Sequence, residues 1–152
     1  MPSTRPARIS DFIKGLGPQA TYNVAKAEQV AFSVPVSVSA TGTIPVFVAN
    51  GRCAIKRVTF IPAAAIAADA GNRWGIQAYN KGTNGLGNTA LGTGNGTSAE
   101  AMVAFKEWGS IYAPVSELVV ADKTVIAVTF AENGAPADVV GTVVVFYVPL
   151  LS

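Results

Sequence analysis

Residues 30–39 read VAFSVPVSVS, a run in which apolar side chains alternate with small or polar ones. A period of two is typical of a β-strand with one face on a core and the other toward solvent. Proline lacks the amide hydrogen that a central strand needs, so Pro35 predicts a strand at a sheet edge, or one whose proline turns away from its neighbour. An edge strand offers unpaired backbone groups to a second chain.

The alternation continues after this strand. Beyond a turn at residues 40–42, Ile44, Val46 and Val48 keep the same phase. Asn50-Gly51 then gives the commonest signal for a two-residue turn between paired strands. The sequence therefore predicts a hairpin at this point.

A change of phase marks the strand that begins at Cys53. Cys53 and Ile55 share one parity, whereas Val58 and Phe60 follow on the opposite parity after a Lys-Arg pair. One inserted residue, a β-bulge, changes the phase in this way. Pro62 is expected to end the strand.

Several short strands are predicted in the rest of the chain. An alanine-rich stretch at residues 63–70 leaves a short helix and a loop open, and residues 73–81 resume as a strand with Trp74, Ile76 and Ala78 on one side. Short strands separated by turns, without helical periods between them, predict an all-β fold, a jelly roll or related antiparallel β-sandwich. The remaining strands are expected at residues 99–105, 117–120, 124–131 and 142–149.

The chain divides into two regions. Residues 1–28 are predicted to form an extended N-terminal arm, and residues 29–152 a single β-sandwich or jelly-roll domain. The arm holds four basic and two acidic residues and the rest has seven of each sign, so the net charge of +2 resides in the arm. A Gly/Asn/Thr-rich segment, residues 82–97, is expected to be a surface loop.

The composition indicates a protein that associates. Charged residues make up 13% of the chain, against about 25% in ordinary soluble domains. A neutral, weakly charged exterior promotes association. Together with the edge strand, this predicts a homo-oligomer, either a dimer or a trimer.

The location is inferred from cysteine content and from the absence of a leader pattern. The single cysteine, Cys53, cannot form an internal disulfide and is expected to be buried, which suits a reducing compartment. The first residues show no secretory leader. The charge-free stretch at residues 29–51 contains prolines and a glycine that suit strands better than a spanning helix. We therefore expect no membrane partner.

The residues that catalysis needs are scarce. The chain has no histidine, which removes the commonest general base and the imidazole ligands of metal sites. Its nine carboxylates are scattered, and no spacing pairs two of them at one cleft. The glycine-rich segment at residues 82–96 runs into a predicted strand, whereas a phosphate-binding loop needs a helix after it. The prediction is no enzyme, no cofactor and no metal.

Two kinds of ligand, sugars and nucleic acids, have little support in the sequence. Trp74, Trp108 and Tyr112 are the residues from which a sugar-binding platform would be built, but aromatic residues of an all-β chain are more often core or interface. A nucleic-acid surface calls for clustered basic residues among exposed aromatics, and only the arm and the pair Lys56-Arg57 come close. No nucleic-acid partner is expected.

Three segments resemble decoration, or cement, proteins from the heads of tailed bacteriophages. They are residues 52–62 (RCAIKRVTFIP), residues 73–82 (RWGIQAYNKG), and the closing strands with Val120-Ala121-Asp122 and residues 143–149 (VVVFYVP). The resemblance covers residues 50–149. It implies a jelly-roll or related β-sandwich domain outside the main shell, with no catalytic residues.

The leading hypothesis is a structural decoration or cement protein that binds the outside of the major capsid lattice and stabilises the shell. It would be made in the host cytoplasm and lie on the exterior of the virion. An extended arm can be ordered only by a partner, so the arm is the expected anchor on the major capsid protein. The alternative is a receptor- or glycan-binding module of a phage tail or fibre, with residues 82–96 and Trp108 as its recognition surface. The anchoring residues are predicted to be Arg5, Arg8, Ile9, Phe12, Ile13 and Lys14.

Overall fold

The computed structural model describes residues 29–92, 101–112 and 118–150. Every regular element within these ranges is a β-strand, as the alternating sequence predicts. The arm predicted at residues 1–28 lies outside the described residues. The strands are β1 (Val30–Val38), β2 (Gly42–Val48), β3 (Cys53–Pro62), β4 (Arg73–Asn80), β5 (Thr89–Ala90), β6 (Trp108–Tyr112), β7 (Leu118–Val120), β8 (Val125–Asn133) and β9 (Val139–Pro149).

The strand pairings form a nested hairpin that is rolled into two sheets. β1 pairs with β9, β2 with β8, β3 with β6 and β7, and β4 with β5, all antiparallel. Further pairings of β9 with β3 and of β8 with β4 close the roll. The first sheet has the order β1-β9-β3-β6, with β7 also beside β3, and the second has the order β2-β8-β4-β5. If β6 and β7 are taken as one interrupted strand, this is an eight-stranded jelly roll. The predicted fold class is confirmed.

The core lies between the two sheets and is centred on aromatic rings. Phe60 of the first sheet packs edge-on against Phe130 of the second, with 5.3 Å between ring centroids, and against Trp108 at 6.5 Å. Phe60 and Phe130 are fully buried, and Trp74 is nearly so. Gly141 stands beside Phe60, and a Cβ atom at that position would overlap the Ile61 carbonyl oxygen and lie 2.6 Å from the Phe60 ring. The missing side chain therefore makes room for the central ring.

The strand β3 has the features that its sequence predicts. Its register with β9 shifts between Ile55 and Arg57, which is the expected bulge, and it ends at Pro62. Cys53 is buried as predicted, and burial raises the pKa of its thiol. The strand β4 likewise buries Trp74, Ile76 and Ala78 on one side.

The predicted hairpin at Asn50-Gly51 is wrong. β2 pairs with β8 in the second sheet, whereas β3 belongs to the first, so this turn crosses between the sheets. Gly51 adopts a φ of +89° there, and its N–H donates to Asp122 Oδ1 at 2.7 Å. The turn residues were identified correctly, but a turn signal does not say which strands pair.

The phase predicted for β2 is also wrong at its end. The register with β8 shifts between Pro45 and Phe47, so Phe47 is buried and Val48 is 58% exposed. At the start of β1, Val30 and Phe32 are 40% and 46% exposed, although their parity predicts core positions. Phe32 packs edge-on against Phe47 at the rim of the sandwich. At this position the second sheet no longer fully covers the Phe32 side chain.

The strand predicted at residues 99–105 is absent from its described part. Residues 101–107 form a connection with a single isolated bridge, between Ile66 and Met102, and the next strand, β6, begins at Trp108. The alanine-rich stretch at residues 63–70 is a loop rather than a helix. Phe105 has a φ of 60°, and this left-handed conformation is incompatible with a continuing strand.

Pro35 lies in an edge strand, as predicted, because β1 pairs only with β9. The strand β2 is also an edge strand, and its proline, Pro45, stands opposite Ala127 of β8. A proline nitrogen in an edge strand faces the open side. Both neighbouring edges therefore lack a donor near their middle, which disfavours the addition of a further strand there.

Most of the long connections gather at one end of the sandwich, called here the loop end. It comprises the turn at residues 39–41, the β3–β4 connection at 63–72, the described residues 101–107 before β6, and the β8–β9 connection at 134–138. The opposite end carries residues 49–52, 81–88 and 121–124 together with the start of β1.

Candidate interaction surface

The described residues contain few groups of the kind that a metal site or a catalytic site requires. Among residues 29–92, 101–112 and 118–150, no group of three or more His, Cys, Asp or Glu side chains could hold a metal ion. Nor does this part of the chain contain a buried side-chain nitrogen or oxygen without a hydrogen-bond partner.

The connection at residues 101–107 is fixed to the body by its backbone. Ile66 and Met102 exchange two hydrogen bonds, each N–H donating to the other's carbonyl oxygen at 2.9 Å. The N–H of Phe105 donates to the carbonyl oxygen of Pro62 at 2.8 Å, and that of Lys106 donates to Val103 at 3.2 Å. A segment held in this way presents its side chains in one arrangement.

An ion pair holds the last residue of this connection. Arg57 Nη1 donates to Glu107 Oε2 at 2.7 Å, and the guanidinium lies 4.2 Å over the ring centroid of Phe146. The two charged side chains are 24% and 40% exposed, so solvent screens much of the attraction and the pair is worth at most about 1 kcal/mol. Its stacked geometry mainly fixes the end of the connection, where the chain enters β6.

The connection exposes an apolar group that we call the loop-end cluster: Ala63, Val103, Phe105 and Val140. Val103 is 50% exposed, Phe105 82% and Val140 54%. Their backbones are neighbours, because Phe105 donates to Pro62 and the N–H of Ala63 donates to Val140 at 2.8 Å. Single exposed hydrophobic residues are ordinary, whereas adjacent ones mark contact sites.

Phe105 is held in a conformation that costs energy. A bulky residue with positive φ is a genuine outlier, and such conformations cost roughly 1–3 kcal/mol. The exposed ring gains little packing in return. Among the exposed large hydrophobic residues of the described ranges, Phe105 alone has a positive φ, and backbone strain of this kind is concentrated at functional sites.

Phe105→Asn is expected to raise the free energy of unfolding by about 1 kcal/mol, because asparagine tolerates the left-handed region and little packing is lost. The measurement is urea unfolding followed by tryptophan fluorescence. Leu86→Asn is the matched control, since Leu86 is 83% exposed and has no positive φ; it should leave stability unchanged. A loss of stability in Phe105→Asn would contradict the assignment of strain.

An open cleft of about 440 Å³ lies beside the cluster, between the β3–β4 and β8–β9 connections. Asp69 stands at its edge, and the Asn72 side chain, followed by the backbone N–H groups of Gly71 and Asn72, lowers the pKa of this carboxyl. Asn72 Oδ1 accepts from the Ala135 N–H at 2.8 Å. These polar groups hold the two connections in shape, and the surface of the cleft is about equally polar and apolar. Its lining is Ala65, Ile66, Ala67, Ala68, Asp69, Asn72, Ala135, Pro136 and Ala137.

The site residues predicted from the sequence either lie outside the described residues or are placed differently from the prediction. The predicted anchoring residues Arg5, Arg8, Ile9, Phe12, Ile13 and Lys14 all lie outside the described residues. The sugar platform is corrected, because Trp74 and Trp108 are 2% and 8% exposed. Trp74 Nε1 also donates to the Ala137 carbonyl oxygen at 2.9 Å, so its polar group is engaged inside the protein. The side chain of Tyr112 lies outside the description.

The alternative recognition surface is corrected as well. Trp108 packs against Phe60 near the loop end, whereas residues 81–88 of the glycine-rich segment lie at the opposite end of the sandwich. The described residues 81–88 and Trp108 therefore lie at opposite ends of the sandwich. The strand β5 forms within that segment, and its residues 93–97 are outside the described part.

Sequence reasoning missed the loop-end cluster. A signal for Val140 exists, because the stretch VVGTVVVFYV at residues 139–148 is apolar on both parities and its outward residues cannot all be core. No signal for Phe105 exists, because a positive φ at phenylalanine is set by tertiary contacts.

Comparisons with known proteins give one kind of match. No protein-family model and no curated protein matches the chain. Among solved structures, that of the infectious bursal disease virus Gx strain is 13% identical, with a TM-score of 0.35, over 79% of this chain and 32% of that one. The VP2 subviral particle of infectious bursal disease virus is 11% identical, with a TM-score of 0.37, over 80% and 33%. The T=1 particles derived from infectious bursal virus are 14% identical, with a TM-score of 0.37, over 78% and 31%.

The chain therefore spans about a third of the length of the structures it matches. TM-scores of 0.35 to 0.37 are too low to carry a functional conclusion, so function is inferred below from this chain's own residues. Within the described ranges, no helix is long and apolar enough to cross a membrane.

Proposed function

We propose that this chain is a structural component of a virion, a decoration or cement protein that binds the outside of the major capsid lattice and reinforces the shell. The observation that carries the proposal is the loop-end cluster, in which a rigidly held connection exposes Val103 and Phe105. Surfaces that are fixed in advance bind proteins at a lower entropic cost. A cluster of this kind serves contact and does not need chemistry.

The charge distribution also supports a structural role. The body carries equal numbers of acidic and basic residues at low density, and the net charge of +2 resides in residues 1–28. A neutral body packs against copies of itself or against a shell without strong repulsion. Arm arginines suit acidic patches on a partner, because the guanidinium fork binds carboxylates bidentately.

We propose a division of labour between the two regions. The arm anchors the chain on the major capsid protein through Arg5, Arg8, Ile9, Phe12, Ile13 and Lys14, and the body contacts neighbouring copies. Ordering the arm on a partner costs about 1–2 kcal/mol per residue in backbone entropy, which apolar and charged contacts to the shell would offset. Its place is then the exterior of the virion, after synthesis in the host cytoplasm.

Sedimentation with shells tests this function. Purified full-length protein is mixed with shells assembled from the major capsid protein alone, and the bound fraction is measured after pelleting. Saturable binding at a fixed ratio to the shell protein is expected. Absence of binding under conditions in which the protein is folded would refute the proposal. Bovine serum albumin in the same tube controls for trapping.

A further inference from the structure

We propose that Asn84-Gly85 is a self-modification site, at which the Gly85 nitrogen attacks the Asn84 side chain and converts that residue to aspartate and isoaspartate. The site lies in the connection between β4 and β5, at the end of the sandwich opposite the loop end. The reaction concerns the body alone and does not depend on a virion role of the chain.

The reaction needs only the chain and water. The backbone nitrogen of Gly85 forms a bond to Asn84 Cγ while the bond from Cγ to Nδ2 breaks, and the Gly85 proton leaves with Nδ2 as ammonia. Water then opens the resulting five-membered succinimide. Attack of water at Cγ gives aspartate, and attack at the backbone carbonyl carbon gives isoaspartate. Glycine favours the first step because no Cβ atom shields its nitrogen.

The tip of this connection exposes the two reacting residues. Asn84 and Gly85 are both exposed, and a Cβ atom at Gly85 would meet nothing within 4 Å. Asn84 Oδ1 accepts from the Leu86 N–H at 3.0 Å, which folds the side chain forward along the main chain and draws electrons from Cγ. No residue of the described ranges accepts the Gly85 N–H, so this nitrogen has no hydrogen bond to break before it attacks.

Both sides of the tip are tied to the body. The N–H of Gly87 donates to the Lys81 carbonyl oxygen at 2.8 Å and closes the connection at its base. The N–H of Lys81 donates to Val125 at 2.8 Å, and that of Val125 donates to Gly82 at 3.0 Å. The reacting groups are therefore restricted to few arrangements, and restricted groups react faster when they are held close together.

The pair Asn50-Gly51 has the same dipeptide sequence but a different environment. The N–H of Gly51 donates to Asp122 Oδ1 at 2.7 Å. Attack on the Asn50 side chain would have to break this bond, and hydrogen bonds to a charged acceptor are among the stronger ones in proteins. The bond therefore protects Asn50, although its side chain is exposed.

The pair Asn133-Gly134 is restrained by its main chain. Asn133 is the last residue of β8 and stands opposite Arg73 of β4. A Cβ atom at Gly134 would overlap the Gly71 carbonyl oxygen, so another segment of main chain lies directly beside this glycine. Ring closure needs the backbone to rotate, and the pairing and close packing oppose that rotation.

The first experiment follows the full-length chain during prolonged incubation at mildly alkaline pH, with peptide mapping by mass spectrometry. Conversion at Asn84 is expected to be about tenfold or more faster than at Asn50 or Asn133, with both aspartate and isoaspartate formed. Equal rates at the three positions would overturn the proposal, and so would a product without isoaspartate, because direct hydrolysis gives aspartate only. Asn95-Gly96 lies outside the described residues and does not enter the comparison.

A variant tests the protection at Asn50. Asp122→Ala removes the acceptor of the Gly51 N–H, so conversion at Asn50 should rise by about tenfold while that at Asn84 stays unchanged. Asp122→Asn is the matched control, because it keeps an oxygen acceptor and should retain part of the protection. An unchanged rate at Asn50 in Asp122→Ala would contradict the role given to this hydrogen bond. Circular dichroism checks that each variant is folded.

Unfolding provides the last comparison. In concentrated urea the three pairs lose their surroundings, so Asn50, Asn84 and Asn133 are expected to convert at similar rates. A preference for Asn84 that persisted in urea would arise from the local sequence and would overturn the assignment of the site to the folded structure.

Discussion

Phe60→Ala is expected to lower the free energy of unfolding by about 3–5 kcal/mol, the range for removal of a fully buried aromatic side chain. The ring is completely buried and touches Phe130 across the sandwich and Trp108 along its own sheet. Gly141 offers no side chain that could fill the space. The substitution leaves a cavity at the point where Phe60 and Phe130 join the two sheets. If the domain is only marginally stable, a loss of this size leaves the variant largely unfolded.

The matched control for this prediction is Phe32→Ala. Phe32 is on the inward parity of β1 but is 46% exposed, so its removal should cost only roughly 1–2 kcal/mol. Both variants are measured by urea unfolding. Equal losses in the free energy of unfolding at the two positions would mean that both rings contribute equally to stability. That result would contradict the placement of the core between Phe60 and Phe130.

Deletion of residues 1–28 is expected to weaken binding to capsid shells by at least about a hundredfold while leaving the β-sandwich folded. The deleted segment carries the net positive charge of the chain. It also carries arginine and apolar residues of the kind that dominate binding energy. None of the described strands is cut, because the first of them, β1, begins at Val30. Binding is measured by pelleting with shells and folding by circular dichroism.

Two finer variants divide the arm's contribution. Replacing Arg5 and Arg8 with lysine keeps the charge but removes the bidentate fork, and replacing Phe12 and Ile13 with serine removes the apolar contacts. Each should weaken binding by part of the effect of the deletion. If the truncated body pelleted with shells as well as the full chain does, anchoring by the arm would be refuted and the body would have to hold the attachment site.

The fold was largely predictable, because apolar and polar residues alternate clearly in a strand that has one face on the core and the other toward solvent. The strand β4, with Trp74, Ile76 and Ala78 inward, and the bulge in β3 follow from parity alone. The strands with which each strand pairs do not follow from parity. Asn50-Gly51 predicts a turn correctly, yet the turn crosses between sheets, because pairing in a jelly roll is decided by contacts far apart in the chain.

The candidate site was harder to predict for a physical reason. A binding surface made of apolar residues has the same composition as a core, so Val103 and Phe105 led to the prediction of a strand at residues 99–105. The structure shows that the ring faces outward, because Phe105 is 82% exposed on a backbone of positive φ. Trp74 and Trp108 show the converse error, since aromatic residues that suggested a sugar platform are buried.

The copy number of this chain in purified virions, measured by quantitative mass spectrometry against the major shell protein, tests the central claim most directly. A decoration protein that covers the capsid lattice is predicted to be present in a fixed ratio comparable with that of the shell protein. A handful of copies per particle would contradict decoration and indicate a tail or fibre component, and complete absence would refute a structural role in the virion.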